Sequence, residues 1–204
     1  EVTKVCRIGK IKLDIEVTKY PKHAMKLATD ARSKYDLIIV AGGDGTVNEV
    51  INGISKSKTT LAIIPFGSTN VLALELGIPF DVKEASKLIL NGKRKRIDLG
   101  YAKTHQESRY FSMMLSVGFD ASLINQIDSN FKKKWGRFAY PFAGIKHLFK
   151  YKWHNIHVNH KSHSIGYFVI ISNSKYYGGE YQIADKASTT DGLLDLVVIN
   201  RHKW

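Results

Sequence analysis

Cysteine, long apolar runs and acidic residues are all scarce in this 204-residue chain. Cys6 is the single cysteine, which excludes an internal disulfide and any multi-cysteine metal site and fits a reducing compartment. The apolar stretches within Asp36 to Ala41 and Tyr167 to Ser172 stop well short of the ~20 residues that a membrane-spanning helix needs. No charged-then-apolar leader opens the chain, so the expected location is intracellular and cytoplasmic. A hydrophobic content of 44% is that of an ordinary globular protein and argues against disorder.

Asp and Glu number 18 against 31 Lys and Arg, a formal net charge of +13. Polyanions are therefore natural partners: nucleic acid, nucleotide phosphates or anionic lipid. Basic residues cluster at Lys93 to Arg96 and at Lys132 to Lys134, but no helix-turn-helix, zinc-finger or RNA-recognition signature accompanies them. Nucleic acid is not the expected partner.

Along the first half, strand and helix patterns alternate. Ile11 to Thr18 alternates as a strand should, and Pro21 to Ser33 carries helical spacing through Ala24, Leu27, Ala28 and Ala31. Asp36 to Ala41 reads as a buried strand, and Val47, Val50, Ile51 and Ile54 share one face of a helix ending near Gly53 to Ser55. The cycle repeats with a strand over Thr60 to Ile64 and a helix over Asn70 to Leu76, stopped by Gly77 and Pro79. Asp81 then caps a helix that stops at Asn91-Gly92. The pattern predicts an α/β domain with a parallel sheet over residues 1–93. From Arg94 the texture changes to strands at Arg94 to Ala102, Arg109 to Val117, His154 to His160, Ile165 to Ser172 and Leu193 to Asn200, which predicts a mainly β, sandwich-like domain over residues 94–204. With no low-complexity linker between them, the two are expected to pack directly around a cleft.

Two glycine loops sit where open α/β sheets bind ligands, at strand ends that lead into helices. In Val40 to Glu49 (VAGGDGTVNE), Gly42, Gly43 and Gly45 allow a ligand close to the main chain, and the N–H groups that open the next helix attract anions. Thr46 and Asn48 add hydrogen-bonding side chains. Thr46 to Glu49 also reads as a capping box, so Thr46 and Glu49 have a structural reading beside the functional one. Asp44 could act through Mg²⁺, serve as a base toward a hydroxyl, or be held by the helix dipole. The second loop, Pro65 to Asn70 (PFGSTN), offers Gly67, Ser68, Thr69 and Asn70 in the same structural place. No Walker lysine pattern and no G-x-G-x-x-G is present.

At GGDGTVNEVINGI followed by IPFGSTNVLALELGIP, the chain resembles the diacylglycerol kinase catalytic-domain family, in its bacterial lipid kinase branch and with sphingosine kinases as relatives. Ile97 to Gly100 (IDLG), Ser116 to Asp120 (SVGFD) and Asp191 to Asp195 (DGLLD) extend the resemblance over nearly the whole chain. It implies an ATP-binding α/β domain, a β-rich second domain, and Mg²⁺-dependent transfer of the γ-phosphoryl group of ATP to the hydroxyl of a membrane lipid such as diacylglycerol. It also implies that Gly42, Gly43, Asp44, Gly45, Thr46, Val47, Asn48, Gly67 and Thr69 line the ATP site, joined by Thr18. Asp44 matches a residue thought to act as base in sphingosine kinases, and Asp191 matches a Mg²⁺ ligand, assisted by backbone carbonyls near Ser188 and Leu193. Relative to the family the chain reads as trimmed at both ends, without the Asn-Pro-x-Ser-Gly loop before Ile11 and without an Asp-Gly-Glu stretch after Asp195. An incomplete sandwich would expose strand edges, which makes a homodimer conceivable.

Lys132 to Trp153 combines six lysines, one arginine and seven aromatic residues. Phe138, Phe142, Ile145 and Phe149 lie at helical spacing, so the segment reads as a core helix with a basic outer face, or as a surface that meets an anionic membrane peripherally. His154, His157, His160 and His163 recur every three residues, a period that does not keep side chains on one face of a strand. The expectation is a lipid kinase, with an NAD kinase-like soluble kinase or a non-catalytic nucleotide- or lipid-binding relative as alternatives.

Overall fold

Parallel pairing starts where branched apolar residues run without interruption. Leu37–Gly42 (β1) and Thr60–Pro65 (β2) lie side by side in parallel, Leu37 opposite Thr60 and Gly42 opposite Pro65. The computed structural model that shows this describes residues 1–119, 121–122, 151, 153–160 and 163–200. Asp44–Ile54 (α3) crosses between the two strands and packs on His23–Ala31 (α2). Val47, Val50, Ile51 and Ile54 are buried with Ala24, Ala28, Val40, Ile63 and the Leu72-Ala73 pair of Val71–Glu75 (α4). Each large aliphatic side chain buried in this way contributes about 1.5–3 kcal/mol. Gly53 lets α2 and α3 approach, since a Cβ there would lie 2.7 Å from Ala28 Cβ. Val2–Ile8 (α1), which no sequence pattern announced, buries Val5 and Cys6 and packs on Val82–Asn91 (α5). Asp81 caps α5 as expected, its Oδ1 accepting from Glu84 N–H at 2.9 Å.

The second half is sheet-rich and antiparallel. Phe168–Ser172 (β8) pairs on one side with Met114–Gly118 (β5) and on the other with Asp195–Ile199 (β11). Gly100–Lys103 (β3) pairs with Ser108–Phe111 (β4), Ile156–Asn159 (β6) with His163–Gly166 (β7), and Tyr176–Tyr177 (β9) with Tyr181–Gln182 (β10). The two halves pack directly. Asn52 of α3 exchanges two hydrogen bonds with the backbone of Tyr110, at 2.9 Å each. Glu75 Oε2 of α4 accepts from Ser174 Oγ–H and Lys175 N–H, both at 3.0 Å. Glu75→Ala would leave both donors without this acceptor, and a loss of about 1–3 kcal/mol is expected. Urea unfolding measures it, and a midpoint equal to wild type would show that the tie carries no stability.

Several sequence expectations are corrected. Ile11 to Thr18 forms no strand: residues 12–18 make no backbone hydrogen bond among the described residues, and Ile15 and Val17 are 69% and 70% exposed. Alternation says which side chains could share a face, and a strand also needs a partner to satisfy its backbone. The stretch is tethered where Tyr35 Oη–H donates to Asp14 Oδ2 at 2.7 Å. That bond and the nearby carboxylate charge hold the Tyr35 phenol above its usual pKa. Arg94 to Ala102 yields strand only from Gly100, because four adjacent exposed cations at Lys93 to Arg96 favour solvent. Arg109 to Val117 breaks at Ser112-Met113, where buried Asn173 captures the Ser112 carbonyl through Nδ2 and the Met113 carbonyl through its backbone N–H. Ile165 to Ser172 breaks at Tyr167, whose N–H goes to the Ile199 carbonyl. Lys132 to Lys150 and Asp120 lie outside the described residues. Phe119 and Trp153, on either side of that stretch, stack at 5.5 Å.

The capping-box reading of Thr46 to Glu49 is also corrected, since Gly43 is the residue that precedes α3. Glu49 caps a different helix. Its Oε1 accepts from Lys22 N–H at 2.8 Å and its Oε2 from Ala24 N–H at 3.2 Å, at the start of α2. Lys22 itself is left-handed and offers no side-chain cap. Glu49→Ala is expected to cost about 1 kcal/mol, as loss of an N-terminal cap does. Thermal unfolding of Glu49→Ala beside Glu49→Gln checks this; a melting temperature unmoved in both would refute the cap.

Candidate functional site

Because β1 and β2 are parallel neighbours, the loops that follow them leave the sheet on the same edge. They touch: a Cβ on Gly67 would lie 2.5 Å from Gly43 Cα, and one on Gly43 would lie 3.0 Å from Gly67 Cα. Only glycine at both positions allows this approach. A Cβ on Gly42 would lie 2.9 Å from Thr46 Cβ, so the turn into α3 is equally tight. Gly45 differs. Apart from its own helix backbone, a Cβ there would meet no atom of the described residues within 4 Å, which leaves space beside the first turn of α3.

Asp44 joins the two loops. Its Oδ2 accepts from Thr69 Oγ–H at 2.9 Å and its Oδ1 from Leu72 N–H, in α4, at 3.3 Å. The half-buried carboxylate is thus turned toward the second loop. It leaves the unpaired N–H groups at the start of α3 to another acceptor. The second loop is closed by Asn70, a non-glycine residue at φ +46°, whose Oδ1 accepts from Gly67 N–H at 2.7 Å and whose Nδ2 donates to the Gly67 carbonyl at 2.9 Å. Asn48 has a buried Oδ1 without a hydrogen-bond partner among the described residues, although its backbone carbonyl accepts from Asn52 Nδ2. Val47 is buried in the core, so it reaches a ligand through its main chain only.

Gly42, Gly43, Asp44, Gly45, Thr46, Gly67 and Thr69 are therefore gathered at one place. Thr18 is exposed, and no hydrogen bond among the described residues links its side chain to either loop. The Ser188, Asp191 and Leu193 set lies on a separate loop of the β-rich half. There Asp191 Oδ1 accepts from Leu193 N–H at 3.0 Å, and Gly192 turns at φ +73°. Asp98 anchors this loop: its Oδ2 accepts from Gly192 N–H at 2.7 Å and its N–H donates to the Thr189 carbonyl at 2.7 Å. A cavity of about 250 Å³ adjoins it, lined by Asp98, Tyr101, Asn173 and Leu193 among others. Carboxylate and carbonyl oxygens are the donor chemistry that Mg²⁺ prefers; Asp191 is exposed, and its Oδ2 has no hydrogen-bond partner among the described residues.

Sequence reasoning missed Leu72 and Glu75, whose roles depend on contacts about 28 and 100 positions away. Asp98 stands within the Ile97 to Gly100 motif, and its hold on the 188–193 loop has no local signature in the sequence. A hydrophilic residue amid apolar neighbours was the only local signal for Glu75.

Two family models match the chain. Residues 1–102 match the family model described as the diacylglycerol kinase catalytic domain, and residues 113–203 match the YegS C-terminal NAD kinase beta sandwich-like domain. A diacylglycerol kinase of Bacillus subtilis (strain 168) is 33% identical over 187 residues, 88% of this chain and 59% of the relative. A probable lipid kinase YegS-like of Chromohalobacter salexigens is 30% identical over 198 residues, 93% of this chain and 62% of the relative. The crystal structure of a diacylglycerol kinase from Bacillus anthracis str. Sterne superposes with a TM-score of 0.72 at 29% identity, covering 95% of this chain and 64% of that one. The chain thus spans about six tenths of the length of the curated relatives it matches.

Proposed function

Since the chain belongs to the diacylglycerol kinase catalytic-domain family, we propose that it carries the ATP cleft and the β-rich domain of a lipid kinase, divided near residues 1–93 and 94–204. The reaction moves the γ-phosphoryl group of ATP to the hydroxyl of a membrane lipid such as diacylglycerol. The observation that carries the reading is the contact between Gly43 and Gly67 with open space left at Gly45. Two bare backbones and the first turn of α3 form a cradle that suits phosphate. Such transfer depends mostly on positioning and charge neutralisation, which glycine loops and a few carboxylates provide.

In this reading the N–H groups of Gly45 and Thr46 bind phosphate oxygens, and the buried Asn48 Oδ1 accepts from the nucleotide. Asp44, held by Thr69 and Leu72, keeps lone pairs free to receive the proton of the acceptor hydroxyl. Asp191 with the carbonyls of Ser188 and Leu193 would hold Mg²⁺, which supplies neutralisation of phosphate charge when bound. Among the described residues no helix is long and apolar enough to cross a membrane. The exposed Lys93 to Arg96 run would draw the protein to an anionic bilayer surface.

The test is transfer of label from γ-labelled ATP with Mg²⁺ to diacylglycerol in anionic vesicles, with NAD in parallel. Label on the vesicle lipid supports the proposal. Label on NAD alone would move the assignment to the soluble kinase reading, and ATP binding without transfer would leave a binding protein.

A further inference from the structure

We propose that His157 and His163 form a two-imidazole site for a borderline divalent transition-metal ion on the outer face of the β6–β7 hairpin. The site is independent of the kinase reading. In the hairpin register His157 lies opposite Ile165 and Asn159 opposite His163. Residues two apart on a strand share a face, so His157, Asn159, His163 and Ile165 all stand on one side. That side is solvent: all four are exposed, whereas Ile156, Val158, Ser164 and Gly166 on the other side are half-buried or buried. The two histidines are diagonal neighbours, within reach of ring side chains.

Their geometry suits chelation. His157 Nδ1 and His163 Nε2 are 3.1 Å apart, with ring centroids 5.3 Å apart and tilted by 34°. At a metal–nitrogen length of about 2.0–2.1 Å, two nitrogens are about 2.9 Å apart at a right angle and about 3.3 Å apart at a tetrahedral one. The observed separation falls between these limits. Without metal, one ring places a proton between the two nitrogens. On binding, that proton moves to the outward nitrogen of the same ring, leaving His157 protonated at Nε2 and His163 at Nδ1, both neutral. Imidazole pairs prefer Cu²⁺ over Ni²⁺ and Zn²⁺, and all three over oxygen-seeking Mg²⁺. Among the described residues no cluster of three or more His, Cys, Asp or Glu side chains could hold a metal, so water completes the coordination.

The test is titration of the protein with CuCl₂ and ZnCl₂, read by calorimetry and, for Cu²⁺, by electron paramagnetic resonance. One tight Cu²⁺ per chain with a two-nitrogen hyperfine pattern is expected. His157→Ala and His163→Ala should each weaken it by about tenfold or more, since either removes the chelate. His154→Ala and His160→Ala should leave it unchanged, and Zn²⁺ should raise the melting temperature of wild type but not of His163→Ala. A single-nitrogen pattern, equal affinity in His163→Ala, or as large a loss in His160→Ala would overturn the proposal.

Discussion

Gly45→Ala is expected to fold as stably as wild type and yet bind ATP about tenfold or more weakly, while Gly67→Ala loses stability outright. The contrast follows from what a methyl group would meet. At Gly45 it meets no atom of the described residues within 4 Å beyond its chain neighbours and its own helix backbone, and alanine is a better helix former than glycine, so the fold has nothing to lose. At Gly67 it would press 2.5 Å from Gly43 Cα and 2.8 Å from Asn70 Oδ1, and backbone cannot give way as a side-chain tip can. Forcing the loops apart should cost about 1–3 kcal/mol, as overpacking does in a well-filled interior. Melting curves with calorimetric ATP titrations separate the two effects. If Gly45→Ala bound ATP as wild type does, the open space beside α3 would not be a phosphate site.

Asp44→Asn should reduce lipid phosphorylation by about 100-fold or more, the scale at which a positioned general base contributes. Stability should change by less than about 1 kcal/mol. The amide keeps an oxygen for Leu72 N–H, and its NH₂ can donate to the Thr69 hydroxyl, which rotates to accept. Charge is lost while shape stays. Asp44→Ala removes both contacts and should lose stability as well as activity, because α4 would lose its acceptor at Leu72. Initial rates on diacylglycerol vesicles, with ATP affinity and urea unfolding measured alongside, distinguish these outcomes. Wild-type turnover in Asp44→Asn would show that the carboxylate only fastens the second loop to the first.

The alternating strand and helix pattern of the first half was legible because its signals are local. Val47, Val50, Ile51 and Ile54 declare a helix face by spacing alone, and Asp81 declares a cap by its place before an amphipathic run. Glu49 shows the limit of such signals. Thr46-Val47-Asn48-Glu49 has the spacing of a self-contained cap, but α3 begins earlier and the carboxylate spans to Lys22 and Ala24 on another helix. The histidines fail in the opposite direction. A period of three scatters them along one strand, while the antiparallel pairing of β6 with β7 returns His163 beside His157.

Composition, periodicity and glycine placement by themselves determined that this chain has a parallel α/β part followed by a β-rich part, and that two bare loops follow neighbouring strands. Those properties reside in a few consecutive residues, where sterics and hydrophobic period act directly. Only the tertiary structure decided that Asp44 faces Thr69 and Leu72, that Glu75 joins the halves through Ser174, and that Ile11 to Thr18 forms no strand. Each of these depends on which distant backbone donor or strand comes within about 3 Å, the reach of a hydrogen bond, and spacing along the chain carries no record of that.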